Sequence, residues 1–178
     1  MMEVSSPELN PTMPVTAVPP GSRVWLRILL VAIAAVEGLF GLDEFNGAFD
    51  LHNAPLSFGQ FVINARLFVH PFFAVAALVL AAGNYLRAAI IVLAAFILLA
   101  WLSGLPGIAR FGIEWDWSVV GLSLFAEQLL FPALAAAAIV LAYLDRHLWL
   151  GAVFVALPPL NFLVSMVAFT IAVMIYGF

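Results

Sequence analysis

ALVLAAGNYLRAAIIVLAAFILLAWL, residues 77–102, contains one charged side chain, Arg87, between the end of one apolar run and the whole of the next. An apolar stretch of about 20 residues is what a helix needs to cross the hydrocarbon of a bilayer. Working outward from this segment, the same pattern recurs at 23–42, 57–83, 86–102, 117–144 and 147–178. The expected fold class is therefore all-α: a polytopic transmembrane helical bundle of five spans.

Composition leads to the same place. Hydrophobic residues make up 66% of the 178 positions and charged residues 9%, against roughly 25% charged in a soluble domain. Mean hydropathy is +1.16. The basic residues are all Arg, the formal net charge is −4, and no basic patch exists that could follow a phosphate backbone, so nucleic acid is not an expected partner. With no Cys, the chain has no thiolate for catalysis, metal binding or disulfide exchange.

Residues 1–22 are polar and rich in Pro (Pro7, Pro11, Pro14, Pro19, Pro20), which predicts a disordered cytoplasmic tail ahead of a single five-helix domain, 23–178. Arg23 and Arg27 precede an apolar stretch with a small-x-small triplet at Ala32–Ala34, as in a signal peptide. The run nevertheless continues to Leu42 and is long enough to be a retained span. Pro71, Pro132 and the pair Pro158-Pro159 fall inside spans. Each frees a carbonyl that a neighbouring helix must satisfy, and the pair could divide the last span into two half-helices. No internal repeat is visible.

With the N-terminus in the cytoplasm, Arg23, Arg27, Arg87 and Arg146 fall inside and Arg110 in an outer loop, as the positive-inside rule expects. Five spans then place Phe178 outside. The outer face collects Asp43, Glu44, Asp50, Glu114 and Asp116, with Trp101, Trp115 and Trp117 as an aromatic belt.

Counting about 1.5 Å per residue inward, Glu37 lies roughly 8 to 9 Å deep, Arg66 roughly 13 to 14 Å and Glu127 roughly 15 Å. His70 stands one helical turn from Arg66 on the same face. Ala34, Gly38 and Gly41 would let another backbone approach the helix around Glu37. A charge near the bilayer centre costs about 2.5 to 3.5 kcal/mol on insertion scales, so these side chains are expected to face inward and pair, Arg66 with Glu127 or Glu37. Glu37, Arg66, His70 and Glu127 are thus the candidate buried polar cluster. One Arg cannot neutralise two carboxylates, and the second must recruit His70, hold a proton or reach water. That is the chemistry of a proton relay, or of a site that hydrogen-bonds a quinone carbonyl. A structural Arg–Glu bridge between helices is the other reading. No residue is assigned a catalytic role.

Haem is disfavoured, because His52 falls in a loop and His147 at the inner boundary, leaving only His70 in mid-membrane. No metal site is expected. The acidic loop of Asp43, Glu44, Asp50 and His52 could bind a cation but reads better as solvated. Asn64, Asn84 and Asn161 read as hydrogen-bond glue between helices.

The stretch 77–102, with its Gly-x-x-x-Arg turn (Gly83, Arg87) between two apolar helices, resembles the second and third helices of DoxX-like membrane proteins. The segment WLRILLVAIAAVEGLFGLDEF, with Arg27 and Gly38, is similar to that family's first helix. The likeness covers about half the chain, and the span from His147 is additional to the family's four helices. It implies a small bacterial inner-membrane protein, in some members a partner of a quinone-linked oxidoreductase. The functional expectation is an accessory subunit or partner in a membrane complex, in contact with lipid and other subunits, and redox- or quinone-linked. The alternative is a small proton-coupled transporter or channel acting as a homo-oligomer.

Overall fold

The computed structural model describes residues 20–50, 58–113 and 117–177. These form helices α1 (Pro20–Asp50), α2 (Phe58–Ala82), α3 (Leu86–Phe111), α4 (Val119–Phe125), α5 (Phe131–Tyr143) and α6 (Leu148–Tyr176). A π-helical turn, Ala126–Leu130, joins α4 to α5, making one continuous span of them. No strand occurs among the described residues. Five helical stretches are long and apolar enough to cross a membrane: Arg23–Asn46, Phe61–Ala82, Leu86–Phe111, Gly121–Tyr143 and Leu148–Tyr176. The expected disordered tail, 1–22, lies outside the described residues as far as residue 19, and its last three residues, Pro20, Gly21 and Ser22, belong instead to the first turn of α1. The placement of His52, Glu114, Trp115 and Asp116 also lies outside the described residues.

Several boundaries differ from the sequence reading. α1 continues eight residues past the expected end, so Asp43 and Glu44 lie in a helix and not in an acidic loop. At 31 residues it is longer than the hydrocarbon is thick and must tilt or project from it. α3 runs to Phe111 through Pro106, which places Arg110 in its last turn. The Pro158-Pro159 pair does not divide the last span, and α6 is one helix of 29 residues.

Two short turns reverse the chain at the same end of the bundle. After α2, Tyr85 N–H donates to Leu80 O at 2.8 Å and Asn84 N–H to Ala81 O at 3.1 Å, with Asn84 left-handed at φ 65°. After α5 the same pattern joins Arg146 to Leu141 and Asp145 to Ala142, with Asp145 at φ 53°. Both are Schellman caps, in which Asn and Asp tolerate the left-handed position better than other side chains. Asn84 therefore serves to end a helix, not to join two. Arg87 pairs with Asp145 across the two turns, and Arg27 donates to the Ala82 carbonyl. Arg23, Arg27, Arg87 and Arg146 thus lie at this turn end, and Arg110 at the other.

α1 packs along α2, α2 along α3, α3 against α5 and α5 against α6, and α6 returns to touch α1 and α3. The tight core belongs to the turn end. It is built from Leu30 on α1, Ala77 and Ala81 on α2, Ala89 and Ile90 on α3, Ala135 and Ala138 on α5, and Ala152 and Val155 on α6. Alanine dominates because lipid offers no hydrophobic drive for helix association, so stability comes from backbones that approach closely. Large apolar side chains such as Trp25, Phe72, Val79, Phe169 and Met174 are exposed on the outside, where a lipid environment suits them.

α1 approaches α2 tightly at Gly41. A Cβ there would lie 3.0 Å from Pro71 N, 3.1 Å from Pro71 Cα and 3.2 Å from His70 Cγ, whereas one at Gly38 would meet only Ala74 Cβ at 3.9 Å. Gly41→Ala is therefore expected to destabilise the bundle by about 1–3 kcal/mol, the usual cost of overpacking, and Gly38→Ala to be tolerated. Thermal unfolding in detergent checks this. Equal midpoints for the two variants would contradict the contact.

Candidate functional site

Away from the turn end, the alanine packing gives way to a cavity of about 670 Å³. Glu37 and Glu44 are two helical turns apart on α1, and Arg66 and His70 one turn apart on α2, so each pair shares a helix face. The Gly41 crossing presses those faces together.

His70 is 3% exposed and lies between two carboxylates. Its Nε2 is 2.9 Å from Glu37 Oε2, and its Nδ1 is 2.8 Å from Glu44 Oε2. Arg66 Nη2 donates to the other Glu44 oxygen, Oε1, at 2.8 Å. The ring stacks on Phe96 with centroids 4.0 Å apart and planes 16° from parallel. Two N···O contacts need two protons between them. Either the imidazole carries both, or it carries one and a carboxyl carries the other. In both cases the charges on Glu37, Glu44, His70 and Arg66 sum to zero, so the cluster can stand in a bilayer without a net charge.

This corrects the expected pairing. Arg66 joins Glu44, not Glu127 or Glu37, because α1 remains helical as far as Glu44 and carries it onto the face that meets Arg66. Glu127 lines the same cavity but lies outside the ion-pair network and is exposed, not buried. Its Oε1 accepts a 3.4 Å contact from Asn161 Nδ2, and the same amide donates to Ser123 Oγ at 2.8 Å. Asn161 is thus interhelical glue, as its sequence position suggested.

Trp101 is also placed differently. Its indole Nε1 turns inward and donates to the Gln128 carbonyl at 2.8 Å. Pro132 has no N–H to offer that carbonyl four residues back, so the neighbouring helix supplies a donor, and the span relaxes into a π-turn at the same place. Trp117, two residues before α4, is 80% exposed. Two polar atoms at the cavity wall, Arg66 Nε and Gln128 Oε1, are buried without a hydrogen-bond partner among the described residues. Each costs about 1–3 kcal/mol of desolvation.

Glu44 is the residue that sequence reading missed. The available signal was the seven-residue spacing from Glu37, which keeps both on one face if the helix does not end at Leu42. Because both ring nitrogens of His70 are taken by carboxylates, neither is free as an axial haem ligand. Among the described residues no group of three or more His, Asp or Glu side chains is arranged to hold a metal ion.

No protein-family model matches the chain, and neither a curated protein nor a solved structure shows significant similarity to it. The resemblance of 77–102 to DoxX-like proteins gains no support from these comparisons.

Proposed function

We propose that this multi-pass membrane protein is an accessory subunit or partner of a redox complex in the bacterial inner membrane, with a cavity that takes a quinone-class molecule and supplies it with protons. The observation that carries this reading is the imidazole held between Glu44 and Glu37 on the wall of a cavity of about 670 Å³. That size is within the range of about 300–1,000 Å³ usual for small-molecule sites. Its aromatic lining, including Phe40, Phe96 and Trp101, suits a flat apolar ring.

Glu44 is the more accessible end of the trio, its side chain 30% exposed against 12% for Glu37. The two are roughly 10 Å apart along α1. A proton on Glu44 passes to His70 Nδ1 as the Nε2 proton passes to Glu37, and both hydrogen bonds survive the exchange. Glu37, on the cavity wall, is the donor to a quinone oxygen. Reduction of the quinone to the quinol takes two electrons and two protons. The trio delivers protons, and the electrons come from a redox subunit of the partner complex.

Gentle detergent purification followed by identification of co-eluting subunits and quinones tests this. A redox subunit together with bound quinone is the expected result. A homo-oligomer free of quinone, whose Trp fluorescence does not respond to added quinone, would overturn it. A second reading, a proton-coupled transporter working as a homo-oligomer, is favoured by Glu127, a cavity carboxylate with no basic partner among the described residues.

The orientation belongs to the same proposal. The cluster of Arg23, Arg27, Arg87 and Arg146 at the turn end supports a cytoplasmic N-terminus and an external Phe178. A reporter active only in the cytoplasm, fused after Phe178, is expected to be silent. Strong activity from it would reverse the topology.

A further inference from the structure

The acidic side chains around the cavity are not equivalent. Glu37 and Glu44 are matched by His70 and Arg66, and both positive groups are engaged by them. Glu127 is left with a neutral amide as its hydrogen-bond donor, at the long distance of 3.4 Å. It is exposed and lines the cavity, whose wall also includes Phe131 one turn along its own helix, Trp101 and Phe162. These rings are held in place. Trp101 is tied to the Gln128 carbonyl, next in sequence to Glu127, and Phe162 stands edge-on to Phe40 with centroids 4.7 Å apart.

From this geometry we propose that the Glu127 side of the cavity binds a lipophilic monovalent cation, an ammonium or phosphonium carrying apolar substituents. The carboxylate supplies the counter-charge, and the aromatic rings supply apolar contact and quadrupolar attraction for a cation within about 6 Å of a ring centroid. A neutral ligand of the same shape would gain only the apolar part. An anion would meet Glu127 without access to a free base, because Arg66 is already committed to Glu44. A strongly hydrated ion such as sodium would find no ring of oxygen ligands here. The site shares its cavity and Trp101 with the quinone reading but draws its charge from Glu127, whereas that reading draws its protons from Glu37, His70 and Glu44 on the facing helices.

Tetraphenylphosphonium is a suitable probe, with triphenylphosphine oxide as its neutral counterpart. Binding to the full-length protein in detergent is measured by equilibrium dialysis, for the wild type, Glu127→Gln and Glu127→Asp. The expected result is saturable binding of the cation, weakened at least about tenfold by Glu127→Gln and largely kept by Glu127→Asp. The neutral oxide should bind at least about tenfold more weakly than the cation to the wild type, a comparison that needs no variant to fold. Equal affinity for the two probes, equal cation affinity in Glu127→Gln, or no saturable binding to the wild type would each overturn the proposal. The quinone reading would be untouched by any of these outcomes, since it fails on loss of quinone binding.

Discussion

His70→Phe is expected to remove most of the folded, inserted protein, even though phenylalanine keeps the ring and its stacking on Phe96. The ring nitrogens are what Glu37 and Glu44 hold. Glu44 would still have Arg66, but Glu37, its side chain only 12% exposed, would lose its ion-pair partner. Breaking a buried pair in this way costs about 3–5 kcal/mol in a soluble core. Placing an unpaired charge near the bilayer centre costs about 2.5–3.5 kcal/mol on insertion scales. Either figure is a large share of a stability of about 5–15 kcal/mol. Glu37→Gln in the same chain should restore abundance, because the amide carries no charge to strand. The rescued double variant should still lack proton delivery, since neither Phe nor Gln can relay a proton. Size-exclusion profiles and thermal midpoints in detergent read the first part. A single His70→Phe variant as stable as the wild type would show that the imidazole does not hold the carboxylates.

Glu44→Gln and Glu127→Gln should behave oppositely. Glu44 neutralises Arg66 and binds one nitrogen of His70, so its amide variant leaves a guanidinium partly buried and short of its counter-charge. The expected loss lies between the ~1 kcal/mol of exposed pairs and the ~3–5 kcal/mol of buried ones, because both side chains are about 30% exposed. Arg66→Met in the same chain should recover part of it. Glu127 supports no cation among the described residues, so Glu127→Gln should insert at normal abundance. Any defect it shows would then lie in ligand or proton handling and not in folding. Instability of Glu127→Gln together with normal stability of Glu44→Gln would reverse the assignment of Arg66's partner.

The spans were legible because the property that makes them is local. A run such as 86–102 has too few polar side chains to lie anywhere but in an apolar medium, and in that medium its backbone must be helical to satisfy its own hydrogen bonds. The polar residues at depth, Glu37, Arg66, His70 and Glu127, could be singled out for the same reason. Of the small residues Ala34, Gly38 and Gly41 around Glu37, Gly41 lies at a tight crossing with α2, whereas Gly38 makes only an ordinary contact with Ala74.

Which acid meets which base was decided by tertiary structure. Depth along the membrane normal ranks residues in one dimension, and by that measure Glu127 and Arg66 were neighbours. A salt bridge also needs the right rotation of each helix about its axis, and hydropathy does not record this. The contact of Gly41 with Pro71 sets how α1 turns against α2, and with α1 extended to Asp50 it carries Glu44 to Arg66 and His70. The inward turn of Trp101 was hidden similarly, because its partner is a carbonyl freed by Pro132 on another span. Apolar composition acts residue by residue and determined the five membrane-length helices. The proton-sharing trio and the separate Glu127 wall depend on helix rotation and close approach, which exist only once the helices pack.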